Sequence, residues 1–305
     1  LSSKLIGDRN FVLNVVRKYD CSLENVSPQF QADQEIVLAA VRNNGLSIQF
    51  ASEVLRSDYE VVLEAVTNNG WALEYASYEF QSDKKIVLAA VRERGNALEY
   101  ASTDLQADRE IVYEACVSMG RSLQYTTSEL QADREIVLAA VCPNKETNKD
   151  KDFKWDSNWA IYYADPKFRK DREIMLAAVM ANSKSLKYAS DHLRKDKELV
   201  LTACEGNGQY DAFEFAHISL LSNREFALEA VKKYSYVLDK FPDSIKADRE
   251  VVLQAIIKSG GSELEHASRE LKSDKEFVQQ AATNDPWWAL KYASEELKAD
   301  REVVL

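Results

Sequence analysis

The pattern of polar and apolar residues repeats along the chain with a period of about 25 residues. An Asp recurs every 25 residues in the first part of the chain, at Asp8, Asp33, Asp58, Asp83, Asp108 and Asp133. After an interruption the same position continues at Asp171, Asp196, Asn223, Asp248, Asp274 and Asp300. The step of 38 residues from Asp133 to Asp171 is one period plus an insertion of 13 residues. Such self-similarity is typical of a solenoid or a related repeat array.

The first half of each period has the pattern of a capped amphipathic helix. In the repeat that begins at Asp33, apolar residues Ile36, Val37, Ala40 and Val41 fall on one face of a 3.6-residue helix. Asp is a favourable N-cap, because its carboxylate accepts hydrogen bonds from the unpaired amides of the first turn. The small Ala recurs in ten of the eleven complete repeats. We therefore predict that neighbouring helices approach closely at this Ala.

The second half of each period predicts short helical turns. Residues 71–76 form one such segment, and Ser77 after it has the pattern of a fresh N-cap. Pro28 and Pro166 each follow a capping residue, as expected for the first position of a helix. Between the two halves stands a glycine, which we expect to end the first helix in a left-handed cap. These glycines are Gly45, Gly70, Gly95, Gly120, Gly208 and Gly260.

A repeat of this length cannot bury its own apolar face, because isolated units below about 40 residues usually need disulfides or metals. Stacking of neighbours supplies the core instead. The predicted fold class is therefore all-α, an α-solenoid of about eleven repeats that occupies residues 1–305 as one array. Residues 142–158 form an insertion within the sixth repeat. Because the chain stops within a capped helix, we expect the array to continue beyond residue 305.

The repeat resembles a known family. Residues 133–141, followed by the Gly-x-x-Leu-x-Tyr-Ala-Ser pattern seen after Gly70, are similar to the tandem domain of unknown function 4116 family. The resemblance covers essentially the whole chain. It implies a family unit that is twice as long as the period described above. It implies no activity. A weaker similarity to leucine-rich variant repeats implies that the second elements are short 3₁₀ segments. Repeats nine and ten depart from the pattern at Phe241, Pro242 and His266.

The amino-acid composition limits the classes of function that the protein can have. Apolar residues make up 46% of the chain and charged residues 29%, which favours a folded protein. The longest apolar runs are far below the roughly 20 residues that span a bilayer, so no transmembrane helix is predicted. The four cysteines show no paired spacing, which favours a reducing intracellular compartment. No residue set suggests a nucleophile, a metal site or a cofactor site, so catalytic residues, cofactors and metals are predicted to be none.

Two recurring side-chain types each allow two interpretations. A base follows the capping residue in ten of the twelve repeat starts, and a Glu often follows the base. This pattern predicts either a ladder of exposed salt bridges between repeats or a charged surface for a partner. An aromatic residue also recurs five positions after the glycine, which suits either packing at the edge of the core or stacking of nucleobases. The net charge of −11 opposes nucleic-acid binding.

Tryptophans are the candidate partner-binding residues. Trp71, Trp159 and Trp288 occupy one equivalent position just after the turn, and Trp287 lies beside Trp288. Trp is enriched at interaction hot spots, although it also covers turns as a packing residue. We expect these side chains to emerge on one edge of the solenoid.

The insertion is a second candidate contact region, because loops that interrupt a repeat often carry binding. Phe153 and Trp155 are its predicted anchors. Some of its residues weakly suggest a calcium loop, namely Asn148, Asp150, Asp152 and Asp156. However, Phe153 stands where such a loop needs Gly, and Trp159 where it needs Glu. A contact loop is therefore the preferred interpretation.

The leading hypothesis is a non-enzymatic helical-repeat protein that binds other proteins, as a scaffold or as a structural subunit of a larger assembly. One alternative is an accessory repeat segment of a larger enzyme or effector whose catalytic domain lies outside these residues. A nucleic-acid-binding repeat array is the third hypothesis. The sequence identifies neither the partner nor the compartment.

Overall fold

The computed structural model of the protein describes residues 7–18, 23–142, 157–205, 212–259 and 261–300. Throughout these ranges the regular elements are α-helices and 3₁₀ helices, and none of the described residues forms a β-strand. Consecutive repeats stack on one another, so the chain is an all-α solenoid, as the period predicts. Residues 143–156 of the predicted insertion, with Phe153 and Trp155, lie outside the described residues.

Each repeat begins with its longer α-helix directly after the capping residue. The backbone amide of Ile36 donates to Oδ1 of Asp33 at 3.2 Å, and that of Val61 donates to Asp58 at 3.0 Å. The predicted Asp caps are therefore present. The longer helices span Arg9–Lys18, Gln34–Asn43, Tyr59–Asn68, Lys84–Glu93, Arg109–Ser118, Arg134–Val141, Arg172–Ala181, Lys197–Glu205, Arg224–Lys233, Arg249–Ser259 and Lys275–Ala282.

The second half of a typical repeat is a 3₁₀ helix followed by one short α-helical turn. The 3₁₀ helices are Leu23–Asn25, Gly45–Phe50, Gly70–Tyr75, Gly95–Tyr100, Gly120–Tyr125, Pro166–Lys170, Ser183–Tyr188, Leu193–Lys195, Leu238–Lys240 and Ser262–His266. The shorter α-helices are Pro28–Gln31, Glu53–Arg56, Tyr78–Gln81, Thr103–Gln106, Ser128–Gln131, Ser157–Tyr163, Ala212–Phe215, Ile218–Leu221, Asp243–Lys246, Arg269–Ser273, Pro286–Tyr292 and Glu295–Lys298. The short segments expected from leucine-rich variant similarity are thus present as 3₁₀ helices.

Packing divides the chain into two compact units, Leu1–Asn182 and Ser183–Leu305. In the first unit, Val61, Val62, Ala65 and Val66 of one helix are completely buried against neighbouring repeats. In the second unit the helix Arg249–Ser259 buries Val251, Val252, Ala255 and Ile256 in the same register. Each unit therefore has a continuous core formed by the apolar stripe that the sequence predicts.

The four predicted glycines that lie in the described residues do not form the left-handed caps that the sequence suggested. Gly45, Gly70, Gly95 and Gly120 lack a positive φ and instead begin the 3₁₀ helices. Glycine is needed there because a Cβ on Gly70 would lie 2.4 Å from the carbonyl oxygen of Ala90 in the next repeat. The Gly of one repeat and the small Ala of the next thus set the distance between repeats. Gly208 and Gly260 lie outside the described residues.

Hydrogen bonds between repeats reinforce this contact. The backbone amide of Ser102 donates to the carbonyl oxygen of Gln81 at 2.8 Å, and that of Ser268 donates to Lys246 at 2.9 Å. The Asn68 side chain donates to the carbonyl oxygen of Arg42 and accepts from the amide of Gly45. Backbone groups left unpaired at the end of one helix are therefore satisfied by the following repeat.

Most of the bases that follow a cap form the predicted ladder of salt bridges. In the first unit, Arg9 pairs with Asp33 at 2.6 Å and Arg109 pairs with Asp133 at 3.1 Å. In the second unit, Arg224 pairs with Asp248 at 2.7 Å. The arginines are about half exposed, so each pair contributes roughly 0 to 1 kcal/mol. The ladder therefore contributes more to the alignment of neighbouring repeats than to the free energy of unfolding.

We predict that Gly70→Ala destabilises the first unit by about 1 to 3 kcal/mol, because the new Cβ must push two backbones apart. The measurement is the midpoint of urea unfolding followed by circular dichroism at 222 nm, a helix signal. Gly7→Ala is the matched control, since Gly7 is exposed and precedes the first described helix. Equal midpoints for the two variants would contradict the role given to Gly70.

Candidate interaction surface

Nucleophilic and metal-binding side chains do not assemble into a site in the described ranges. Burial raises the pKa of both Cys116 and Cys204 to about 12, so these thiols stay uncharged inside the core. His217 accepts from the amide of Ser219 through Nδ1 and thereby caps a short helix. Among the residues that the structure describes, no group of three His, Cys, Asp or Glu side chains could hold a metal ion.

Glu263 is a buried carboxyl group inside the second unit. It is only 2% exposed, and equivalent positions in other repeats hold small or β-branched residues. The backbone amide of Leu238 donates to its Oε2 at 3.2 Å, whereas Oε1 has no partner in the described structure. Desolvation, with a further contribution from the carboxylate of Asp239, raises the pKa of Glu263 to about 7. The equivalent residues are Ser47, Ala72, Ala97, Ser122, Ala160, Ser185, Ala212, Val237 and Ala289.

The 3₁₀ helix that Glu263 contacts has no side-chain cap from its own repeat. Asn44 and Asn69 cap the 3₁₀ helices of their own repeats through Oδ1, but Tyr234 occupies this position before Leu238. The 3₁₀ helix Leu238–Lys240 starts late, after Tyr236 with a φ of 59°. Glu263 supplies the missing acceptor from the next repeat. The carboxyl group is therefore a structural cap with a titratable proton.

The recurring aromatic residues lie at the edge of the core. All of those named by the sequence pattern are half-buried: Phe50, Tyr75, Tyr100, Tyr125, Tyr163, Tyr188, Phe215 and Tyr292. The hydroxyl of Tyr292 donates to Glu265 of the preceding repeat at 2.8 Å. Tyr125 is linked in the same way to Glu99, and burial raises the pKa of Tyr125 to about 12. These hydroxyls thus connect repeats.

Trp71 is exposed at the start of its 3₁₀ helix. Its side chain is 42% accessible, and the guanidinium carbon of Arg94 lies 4.3 Å from the ring centroid. The Arg94 side chain itself is only 18% exposed. The cation therefore covers one ring face, and the rest of the indole stays accessible.

Trp159 lies at the equivalent position three repeats later in the same unit. It is 39% exposed, stacks on Tyr163 with centroids 6.1 Å apart, and meets Tyr162 edge-on at 5.8 Å. The guanidinium carbon of Arg121 lies 5.4 Å from its ring centroid. Tyr162 is itself 48% exposed. The structure thus places an aromatic cluster and a cation on the surface of the first unit.

The paired tryptophans form a separate cluster in the second unit. Trp287 is 61% exposed, whereas Trp288 is half-buried and stacks on Tyr292 at 5.7 Å with an interplanar angle of 6°. The Nζ atom of Lys291 lies 4.5 Å from the centroid of Trp288 and 5.0 Å from that of Trp287. The lysine covers the rings of its own helix.

These clusters share a composition of aromatic rings and an adjacent cation. Sequence reasoning located the tryptophans but missed Arg94, Arg121 and Lys291. A signal for two of them is present in the chain, because Arg121 occupies the repeat position of Trp71 and Lys291 follows Trp287 by one helical turn. Trp and Arg are the residues most enriched at binding hot spots, so the arrangement is suited to contact with another molecule.

Comparison with known families agrees with this repeat structure. The domain of unknown function (DUF4116) matches residues 8–56, 58–106, 108–144, 151–194, 171–221, 196–246, 223–262 and 248–298. The chain belongs to the DUF4116 family. Most of the matches span two periods, as the resemblance implied, and successive matches in the second half of the chain advance by one period. No curated protein matches the chain.

No described helix combines the length and the apolar character needed to cross a bilayer.

Glu263 predicts a pH-dependent stability of this DUF4116 protein. Its pKa in the folded state, about 7, lies above the ordinary value of 4.5, so the folded state binds more protons between these two values. Stability should therefore fall by roughly 2 kcal/mol as the pH rises from 5 to 8, and stay constant above that. In Glu263→Gln this loss should disappear, because the amide keeps the acceptor for Leu238 without a charge.

The measurement is urea unfolding of both proteins at several pH values, and Glu296→Gln, on an exposed glutamate, is the control. If wild type and Glu263→Gln lost the same stability over this range, the buried carboxyl group would not be the cause.

Proposed function

We propose that this protein is a non-enzymatic helical-repeat scaffold that binds other proteins through the aromatic surfaces around Trp71, Trp159 and Trp287. The observation that carries this proposal is that three large indoles, 39% to 61% exposed, each contact a basic side chain. The stacked core needs none of these exposed faces. Their position is therefore best explained by a contact outside the chain.

Energetics support this assignment. Exposed indole surface has an unfavourable free energy in water, and burying apolar area contributes roughly 25 cal/mol per Å². A Trp held beside an Arg is partly ordered before binding, so less conformational entropy is lost when a partner docks. Interfaces concentrate their binding energy in a few such residues. Within each unit, the stacked repeats give such residues a rigid support.

The alternatives have less support from particular residues. A catalytic domain outside these residues would make the array an accessory segment, and no feature of the described surfaces favours that arrangement over a scaffold. For nucleic acid, the tyrosine row would have to stack bases, but Tyr125 and Tyr292 are linked to carboxylates that repel phosphates. Protein binding is the function we propose.

Crosslinking mass spectrometry of the protein in its native source tests the proposal. Lys167 follows the Trp159 helix and Lys291 contacts Trp287, so both should crosslink reproducibly to one other protein. Lys84 and Lys275 belong to the salt-bridge ladder and serve as internal controls. Crosslinks that join only residues of this chain would remove the main support for a scaffold.

We predict that Trp71→Ala weakens capture of the crosslinked partner by about tenfold, the loss typical of a hot-spot residue. Tyr78→Ala is the matched control, because Tyr78 is 73% exposed on a neighbouring short helix and lacks a cation contact among the described residues. Both variants should keep the thermal midpoint of the wild type within a few degrees, since exposed side chains contribute little to stability. An equal loss in both variants would show that general surface hydrophobicity, and not Trp71, drives binding.

A further inference from the structure

Arg121 is a cation without a counter-ion in the part of the chain that the structure describes. It forms neither a hydrogen bond nor an ion pair there, and its Nε is buried without an acceptor. Its Cζ atom lies 5.4 Å from the ring centroid of Trp159. Other arginines of the same unit are paired between repeats, for example Arg92 with Glu114 at 3.1 Å and Arg109 with Asp133 at 3.1 Å. Arg121 is therefore held in place by an aromatic ring and still has unused donors.

Further basic residues follow Trp159 directly along the chain. The 3₁₀ helix Pro166–Lys170 carries three basic residues, and Lys167 and Lys170 are exposed. Arg169 donates to the carbonyl oxygen of Tyr162 at 3.4 Å, which ties this segment to the aromatic cluster. The adjacent carboxylate, Asp165, accepts from the backbone amide of Lys167 and caps the segment. We call Arg121, Trp159, Tyr162, Lys167, Arg169 and Lys170 the Trp159 cluster.

The Trp159 cluster contrasts in charge with the rest of the protein. The chain has a net charge of −11, and its repeat starts carry more carboxylates than bases. A long polyanion such as nucleic acid would meet this negative charge on either side of the cluster. A short acidic segment would contact only the basic residues. The local excess of positive charge therefore selects a short acidic ligand.

We propose that the Trp159 cluster binds an acidic segment of a protein partner. The free donors of Arg121 would take a carboxylate in a bidentate pair, and the exposed faces of Trp159 and Tyr162 would cover an adjacent apolar side chain. Lys167 and Lys170 would add weaker contacts at the rim. This inference rests on the proposed function and adds to it the chemistry of the partner.

Fluorescence anisotropy on the full chain tests the inference. The probe is a fluorescein-labelled peptide in which Asp and Glu alternate with Leu, compared with peptides that carry Asn and Gln or Lys at the same positions. We expect the acidic peptide to bind about tenfold more tightly than the neutral one, and Arg121→Gln to remove most of that preference. Arg121→Lys should restore it only in part, because Lys lacks the planar fork.

Arg92→Gln is the matched control, since it removes an arginine of the same unit whose charge is already paired with Glu114. It should leave the affinity for the acidic peptide unchanged within about twofold. Helical circular dichroism of each variant verifies that the fold is retained. Equal affinities for the acidic and neutral peptides, or an equal loss in Arg92→Gln, would overturn the proposal.

Single-stranded DNA of similar length provides the competing outcome. If it bound more tightly than the acidic peptide and required Arg121, the cluster would be a phosphate-binding surface and the proposal would be wrong. Failure here is distinguishable from failure of the scaffold function. A native partner crosslinked only away from Lys167, with no acidic-peptide binding, would retain the scaffold and remove the Trp159 cluster as its acidic docking site.

Discussion

The close contact between the glycine of one repeat and the Ala carbonyl of the next sets the spacing of repeats in the first unit. A 25-residue repeat cannot fold alone, so it is stable only when both of its faces are covered. At Gly95, a Cβ would lie 2.2 Å from the carbonyl oxygen of Ala115, so any larger residue would separate the two repeats. In the first unit, backbone hydrogen bonds and the salt-bridge ladder join the repeats that this contact brings together. A substitution at this contact therefore weakens the stacking of neighbouring repeats.

Local features of the fold could be predicted from the sequence, and features that depend on the next repeat could not. The Asp33 cap and the apolar stripe after it follow from residues within one helical turn. By contrast, the need for Gly70 arises from the backbone around Ala90, 20 residues away. Sequence reasoning assigned this glycine to a left-handed cap because that is the commonest reason for Gly at a helix end.

The candidate site was predictable to a similar extent. The equivalent positions of Trp71 and Trp159 follow from the period alone, and the structure exposes both side chains. The cations beside them could not be found in this way, because Arg94 and Arg121 reach their rings from different repeat positions. Glu263 was missed for a related reason. Its role as a cap becomes visible only when Tyr234 is seen to replace the Asn of the preceding repeat.

Residues that depart from the repeat pattern have different roles in the core and at the surface. Glu263 is buried where other repeats have a small side chain, and its amide contact compensates for a local loss of capping. Arg121 is a departure at the surface, and no described group compensates its charge. Beside the exposed ring of Trp159, the donors of Arg121 that no described group uses can bind an external anion. Stacking requires similar core residues in every repeat. A binding site can therefore evolve through changes at the exposed edge without loss of the fold.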